Sequence, residues 1–249
     1  MSLHSRDLIR GAVDRSIGLW RYHDLRRLRS YEATRTARDH IAMTAAITVA
    51  LGADGVLVDV GAHAGTIVDI AHKVAPSSGH VAYEALPRLA SHLQRRYPNL
   101  DVRQKAVSDI AGRVTFYHVV DAPGYSGLAA REHAPGASSI EALEVEAVRL
   151  DDDLSDDVVP AVLKIDVEGA EVKVLRGAAN MLSRYRPILL FEHGVGGADV
   201  YGDTSRELYD LVVGHAGLRI FDSDGNGPYT CHEFEGVFTL PMWNFIAVR

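Results

Sequence analysis

Between residues 56 and 222, short strand-like runs alternate with stretches of helical periodicity, and that alternation leaves few architectures open. The runs fall at 56–60, 80–84, 101–107, 161–167, 188–192 and 218–222; the helical patterns lie at about 64–74, 87–97, 169–185 and 205–216. Apolar runs buried on both faces need helices above and below, and parallel neighbours need a crossover long enough for a helix. The pattern predicts an α/β chain built on a doubly wound parallel sheet. Two segments break it: 113–120 and 143–150 alternate apolar with polar residues, as half-exposed antiparallel strands do. They read as an inserted hairpin around a loop at 123–139 rich in Gly, Ser, Ala and Pro. A final run at 244–248 follows too closely for a crossover helix and is expected to be antiparallel. No segment reads as a linker. One structural domain is expected, with residues 1–52 as a helical segment packed on a body spanning 53–249.

Apolar residues make up 47% of the 249, enough for a full core. The single cysteine, Cys231, excludes an intramolecular disulfide and a cysteine-based zinc cluster. With no apolar run near 18 residues and no signal-peptide pattern, a soluble cytoplasmic protein without stable membrane insertion is expected. Net charge is −7, yet residues 1–40 hold nine arginines against five acids. A basic arm for nucleic acid is one reading of that asymmetry. Helical spacing of Leu8, Ile9, Val13, Ile17 and Trp20 favours the other, an amphipathic helix docked on the body with its arginines outward, so no nucleic-acid partner is expected.

The first strand runs into Asp59-Val60-Gly61-Ala62-His63-Ala64-Gly65. Gly61 and Gly65 suit a close approach of backbone to a ligand, and a helix N-terminus offers unpaired N–H groups to an anion. His63 stands where a dinucleotide fingerprint has its second glycine, which argues against a diphosphate. Glu84 ends the second strand nineteen residues after Gly65, where an acid accepts hydrogen bonds from ribose hydroxyls. Together they suit a nucleoside without diphosphate, such as S-adenosylmethionine. A tight turn without a ligand would carry the same glycines.

On the run at 161–167, Val162, Lys164 and Asp166 share one face, with Lys164 and Asp166 about 7 Å apart. A lysine inside a central strand needs a partner; Asp59 and Glu192 are the candidates, which makes Lys164 a structural ion. Asp166 and Glu168 leave the strand toward the crevice. Glu171, in the first helical turn, is accounted for by the helix dipole. His193, at the next strand exit, has the pKa of a general base at neutral pH.

With these residues in place the chain resembles the FkbM family of S-adenosylmethionine-dependent methyltransferases from about residue 55 to 194. The motifs that carry the likeness are Val58-Asp59-Val60-Gly61-Ala62, Ala106-Val107-Ser108-Asp109 with Gly112, Val148-Arg149-Leu150-Asp151-Asp152, and Lys164-Ile165-Asp166-Val167-Glu168-Gly169-Ala170-Glu171 with Leu175 and Gly177. The resemblance implies a class I methyltransferase (Rossmann-like) sheet of order 3-2-1-4-5-7-6 and O-methylation of hydroxyls, often on sugars or natural products. It implies a cofactor turn of Asp59, Gly61, Ala62, His63 and Gly65, with Glu84 on the ribose. Val107 and Ser108 would edge the adenine, and Asp166 would face the sulfonium. The family usually has asparagine at the position of His63. The N-terminal 50 residues and the 123–139 loop match nothing specific and are where substrate choice is expected.

Methyl transfer to an aliphatic hydroxyl needs alignment, a dry pocket and a base. His193, Asp166 or Glu168 is expected to be that base, acting on a small-molecule hydroxyl acceptor. No metal site is predicted; a divalent ion that acidifies the hydroxyl is the alternative. A homodimer is compatible with the sequence. The competing functions are an NAD-dependent oxidoreductase using the same turn, and a non-catalytic scaffold of the same fold.

Overall fold

The computed structural model describes residues 22–130, 139–240 and 243–249, so the pattern at residues 8–20 and the loop stretch 131–138 lie outside the described residues. The described residues open on a long helix, α1 (Tyr22–Leu51), and then alternate: β1 (Val56–Val60), α2 (Thr66–Val74), β2 (Val81–Tyr83), α3 (Pro87–Arg96) and β3 (Asp101–Arg103). β4 (Ala106–Val107), β5 (Gly112–Val119), β6 (Ile140–Val148) and the short α4 (Leu150–Asp153) follow. The alternation resumes with β7 (Pro160–Ile165), α5 (Glu171–Gly177), α6 (Ala179–Tyr185), β8 (Ile188–Glu192) and α7 (Ser205–Tyr209). It ends with β9 (Arg219–Asp222), α8 (Cys231–Val237) and β10 (Asn244–Val248).

Seven strands form the main sheet in the order β3-β2-β1-β7-β8-β10-β9. Counted over those seven alone, this is 3-2-1-4-5-7-6. β10 runs antiparallel to both neighbours, β8 and β9, and the other pairings are parallel. One face packs on α1 and α2 through Ile47, Leu51, Leu57, Ile67, Ala71, Val162 and Leu190. The other packs on α5 to α8 through Leu163, Ile165, Leu175, Leu182, Leu189, Phe191, Leu208 and Phe234. Strand alternation therefore sorts each strand's side chains between two helical layers.

Local chemistry sets the element ends. α3 begins with Pro87 at its first position, where the missing N–H costs nothing. α7 and α8 each start with a capping box, Thr204 with Glu207 and Thr230 with Glu233.

Four expectations need correction. The run at 101–107 is two strands: β3 joins the main sheet, whereas β4 pairs in parallel with β6 and, with β5, forms a separate three-stranded sheet. The helix expected over 169–185 breaks at Ala178, φ −116° and ψ 9°, next to Gly177, whose backbone lies so close to the Ser108 carbonyl that a Cβ would come within 2.1 Å. The helix expected over 205–216 continues after Tyr209 as a π-helical turn, Asp210–His215. The last strand is antiparallel, but the gap before it does hold a helix, α8, which packs on α7 instead of crossing the sheet.

α1 is pinned to the far edge of the sheet. Arg35 pairs with Asp39 at 2.9 Å and with Asp224, Arg38 reaches Asp224 at 2.6 Å, and the Asn244 amide donates to Asp39 at 3.2 Å. These contacts set His40 and Met43 above the carboxyl ends of the central strands.

Candidate functional site

β1 is flanked by β2 on one side and β7 on the other, so strand order reverses beside it, and that is where open α/β sheets bind ligands. A cavity of about 340 Å³ opens there. Its floor comes from the strand exits: Gly61, Ala62 and His63 after β1, Glu84 after β2, Asp166 and Glu168 after β7, and Glu192 at the end of β8. Its roof combines His40 and Met43 of α1 with Phe116, Gly124, Ser126 and Leu128 of the small sheet and its loop.

Glu84 is held by two backbone donors. The His63 N–H donates to Oε2 and the Leu86 N–H to Oε1, both at 2.8 Å. Burial raises its pKa against the effect of those two amides. Each oxygen keeps a lone pair for a further donor, as a ribose diol would supply. His63 makes its contact from a left-handed conformation, φ 48°, which asparagine, aspartate and histidine tolerate best among non-glycine residues. The histidine thus fills the conformational role that the family's usual asparagine would.

The glycines act differently from the expectation. At Gly61, φ 80°, a Cβ would stand 1.9 Å from the Asp166 carbonyl, so what lies against this glycine is the β7 exit. At Gly65, φ 85°, the near atoms belong to Leu93 and Tyr97. The two residues close the turn onto protein, and only Gly61 lines the cavity.

A charge stack runs from the floor, where Lys164 and Asp166 line the cavity, back to Asp59. Lys164 and Asp59 are register partners on adjacent strands, and the Lys164 ammonium is 3.6 Å from Asp59 Oδ1, 3.0 Å from Asp166 Oδ2 and 3.3 Å from the Gly61 carbonyl. Burial would lower the Lys164 pKa, but the carboxylates of Asp166 and Asp59 hold it above its usual value. Asp59 is fully buried, neither of its oxygens accepts a hydrogen bond among the described residues, and burial raises its pKa despite the ammonium. Asp59 therefore acts from behind the cavity wall, through Lys164, where a direct cofactor contact was expected.

Glu171 does more than meet a helix dipole. Its Oε1 accepts from the N–H groups of Val167 and Gly169, at 3.2 and 3.1 Å, and so fastens the loop that presents Asp166 and Glu168. Burial pushes its pKa up to about 7. Glu168 itself lies at φ 58°, next to Gly169 at φ 106°, which turns the chain sharply out of β7.

Of the expected site residues, Gly61, Ala62, His63, Glu84, Val107, Asp166 and Glu168 line the cavity; Asp59, Gly65, Ser108 and His193 do not. Ser108 is buried, its N–H donating to Val148 and its hydroxyl to Asp109. His193 is the larger correction. Its ring stacks on Phe234 at 5.3 Å and tilts against Phe238, its Nε2 lies 2.8 Å from the Ser205 hydroxyl, and burial pushes its pKa down to about 4. The residue that does face the cavity is its neighbour Glu192, expected from the sequence as a partner for Lys164 and, in the metal alternative, as a holder of the divalent ion with Asp166. Among the described residues no group of three or more His, Cys, Asp or Glu side chains is placed to hold a metal ion. No described helix is long and apolar enough to cross a membrane.

This geometry agrees with the comparisons. The family description "Methyltransferase FkbM domain" matches residues 59–208. Among solved structures, a methyltransferase FkbM from Methylobacillus flagellatus KT is 16% identical, with 80% of this chain and 44% of that one covered and a TM-score of 0.51. A precorrin-6y C5,15-methyltransferase from Geobacter metallireducens GS-15 is 14% identical over 83% of this chain and 86% of that one, with a TM-score of 0.41. Aeropyrum pernix fibrillarin, solved with natively bound S-adenosyl-L-methionine, is 15% identical over 80% and 67%, with a TM-score of 0.42. This chain thus spans under half the length of the Methylobacillus protein. No curated protein sequence matches the chain. The first of these likenesses shows the fold, and the family match, which covers well over half the chain, shows that it belongs to the FkbM family of S-adenosylmethionine-dependent methyltransferases.

Proposed function

We propose that this protein transfers a methyl group from S-adenosylmethionine to a hydroxyl of a small molecule, a sugar or a glycosylated natural product. The observation that carries the reading is Glu84. It stands with both oxygens oriented by backbone amides, one of them from the Gly61–His63 turn, in the wall of a cavity at the sheet's switch point. That arrangement suits a ribose diol, and His63, at φ 48°, stands where a dinucleotide fingerprint has its second glycine. An NAD-dependent reaction is correspondingly disfavoured.

When bound, the cofactor supplies an electrophilic methyl group, and transfer needs alignment more than acid–base chemistry. Glu84 would anchor the ribose, the 61–63 turn the amino-acid end, and Val107 the adenine edge. Lys164 holds Asp166 in the cavity wall, with ammonium and carboxylate 3.0 Å apart. A base for the hydroxyl would come from Asp166 or Glu168; His193, enclosed by aromatic rings, is not placed to reach an acceptor. The roof residues His40, Met43, Phe116 and Leu128 would shape the acceptor site, which supports reading the described part of the N-terminal segment, residues 22–52, as part of one domain with the body.

The test is a product-mass screen with labelled methyl donor over sugars, glycosides and glycosylated natural products. Label appearing on oxygen supports the proposal, and label appearing only on nitrogen or carbon acceptors refutes the O-directed part. Binding of adenosylhomocysteine at one hundred times its Kd should add about 2.7 kcal/mol to stability. No thermal shift with it would favour the scaffold reading, and tight NADH binding without adenosylmethionine binding would favour the oxidoreductase.

A further inference from the structure

The cavity's inner end carries more negative charge than the fold needs. Asp166, Glu168 and Glu192 all line it together with Lys164, whose ammonium is already engaged by Asp166 and Asp59. Glu192 differs from the rest in that its carboxyl makes neither a hydrogen bond nor an ion pair with any described residue. Its strand register sets it opposite Asn244 of β10, and its carboxyl is reached from within the cavity while protein surrounds it elsewhere. An ionised carboxylate so enclosed is costly unless a cation joins it. The proposed ligand would bring such a cation: with its ribose at Glu84, the rest of an adenosylmethionine would share the cavity with Gly61, Asp166 and Glu192, and its sulfonium is the fixed positive charge that the demethylated product lacks.

We propose that Glu192, with Asp166 beside it, is the counter-charge for the methyl donor's sulfonium, so that the cavity holds the charged donor and lets the neutral product go. The inference rests on adenosylmethionine being the cavity's ligand. It differs from the role of Asp59, which the protein's own lysine already neutralises. It also gives a use to a carboxylate that neither the fold nor the expected proton transfer employs.

Proton linkage follows. The groups facing Glu192 are Lys164 on β7, Asp166 just past its end, Glu168 on the loop that follows, Glu171 on α5, the neutral Asn244 on β10 and His40 on α1. Burial, then the carboxylates of Asp166, Glu168 and Glu171, raise the Glu192 pKa well above the usual carboxylate range, and Lys164 only partly offsets them. Arrival of a cation favours the ionised form, so the charged donor should bind with release of a proton and the neutral product without it. Both ligands carry the same amine and carboxyl groups, so the ratio of their affinities isolates the sulfonium.

The experiment is isothermal titration of the full chain with adenosylmethionine and adenosylhomocysteine, across pH and in buffers of different ionisation enthalpy. The wild type should prefer the donor by about tenfold or more at mildly alkaline pH, with the preference shrinking as pH falls and Glu192 protonates. Glu192→Gln should remove most of that preference and the proton release, while keeping product affinity within about twofold. Glu192→Asp, which keeps the charge, should restore part of both. A wild-type ratio that is flat with pH, or a Glu192→Gln protein with an unchanged ratio, overturns the inference even if the glutamine variant is too unstable to titrate, since the wild-type pH series stands alone. Wild-type protein that binds both ligands equally overturns this inference alone. Protein that binds neither overturns the assignment of the cofactor, and the inference with it.

Discussion

Replacing Lys164 by methionine keeps most of the side chain's length and removes its charge, and the consequence should fall mainly on Asp59. Asp59 is fully buried, no described group donates a hydrogen bond to it, and the ammonium 3.6 Å away is the cation it faces. Breaking a buried pair by removing one member costs about 3–5 kcal/mol, because the remaining charge is left uncompensated. Against a total stability of about 5–15 kcal/mol this leaves a folded but weakened protein. The pH dependence identifies the cause. Burial already raises the Asp59 pKa above its ordinary 3.8, and loss of the lysine removes the main influence holding it down. A carboxyl whose folded pKa is raised favours folding when protonated, so the penalty should be small near pH 4 and grow by about 1.4 kcal/mol per unit as pH rises toward the folded pKa. Urea unfolding of wild type and Lys164→Met, near pH 4 and near pH 7, measures both ends. The double variant Asp59→Asn with Lys164→Met should recover most of the loss near neutrality. A penalty under about 1 kcal/mol near pH 7, or one of equal size at both pH values, would refute the argument that Asp59 carries it.

Other perturbations test other parts of the site. Gly61→Ala adds a Cβ 1.9 Å from the Asp166 carbonyl at φ 80°, so it should abolish binding of adenosylhomocysteine and lower the melting temperature; normal binding by titration would show that the turn is not set by the β7 exit. His193→Phe keeps the stacked ring and removes the titration. Because the folded pKa is pushed down to about 4, wild-type stability should decline as pH falls from about 6.5 to 4, and up to about 3 kcal/mol of that decline should be missing from the variant in urea titrations. Glu171→Gln has the opposite sign: a folded pKa near 7 means that the acid destabilises as pH rises from about 4.5 to 7, so the variant's stability relative to wild type should improve over that range.

Much of the site can be read from strand alternation alone. Placing Val162, Lys164 and Asp166 on one face leaves Asp59 and Glu192 as candidate partners for Lys164, and Asp59 is its register partner on β1. The glycine turn and Glu84 were likewise visible, because each sits at the end of a strand whose core residues are unmistakable. The split of 101–107 was not visible, because it depends on where β4 finds a partner. That partner is β6, some forty residues on, and pairing at such separation leaves no local mark beyond the tight turn at Lys105, whose N–H donates to the Arg103 carbonyl. The reason for Gly61 was also hidden: a glycine that admits a ligand and one that admits a neighbouring carbonyl are the same letter, and only the close approach of the β7 exit distinguishes them.

The choice between His193 and Glu192 shows how far the same reasoning reaches when it is carried to the next strand. On β8, Leu190 packs with Val162 and Leu57 against α1 and α2, while Leu189 and Phe191 pack with Leu163 and Ile165 against α5 to α8. Alternation then sends Glu192 to the side of Lys164 and Asp166, and His193 to the side of Phe234. A histidine's ordinary pKa makes it attractive as a base, but that pKa belongs to a solvated ring. Enclosed between Phe234 and Phe238 the ring is held neutral, whereas the carboxyl one residue earlier opens into the cavity with no described partner. Position on the strand, and not the intrinsic chemistry of the side chain, decides which of two adjacent ionisable residues can meet a ligand.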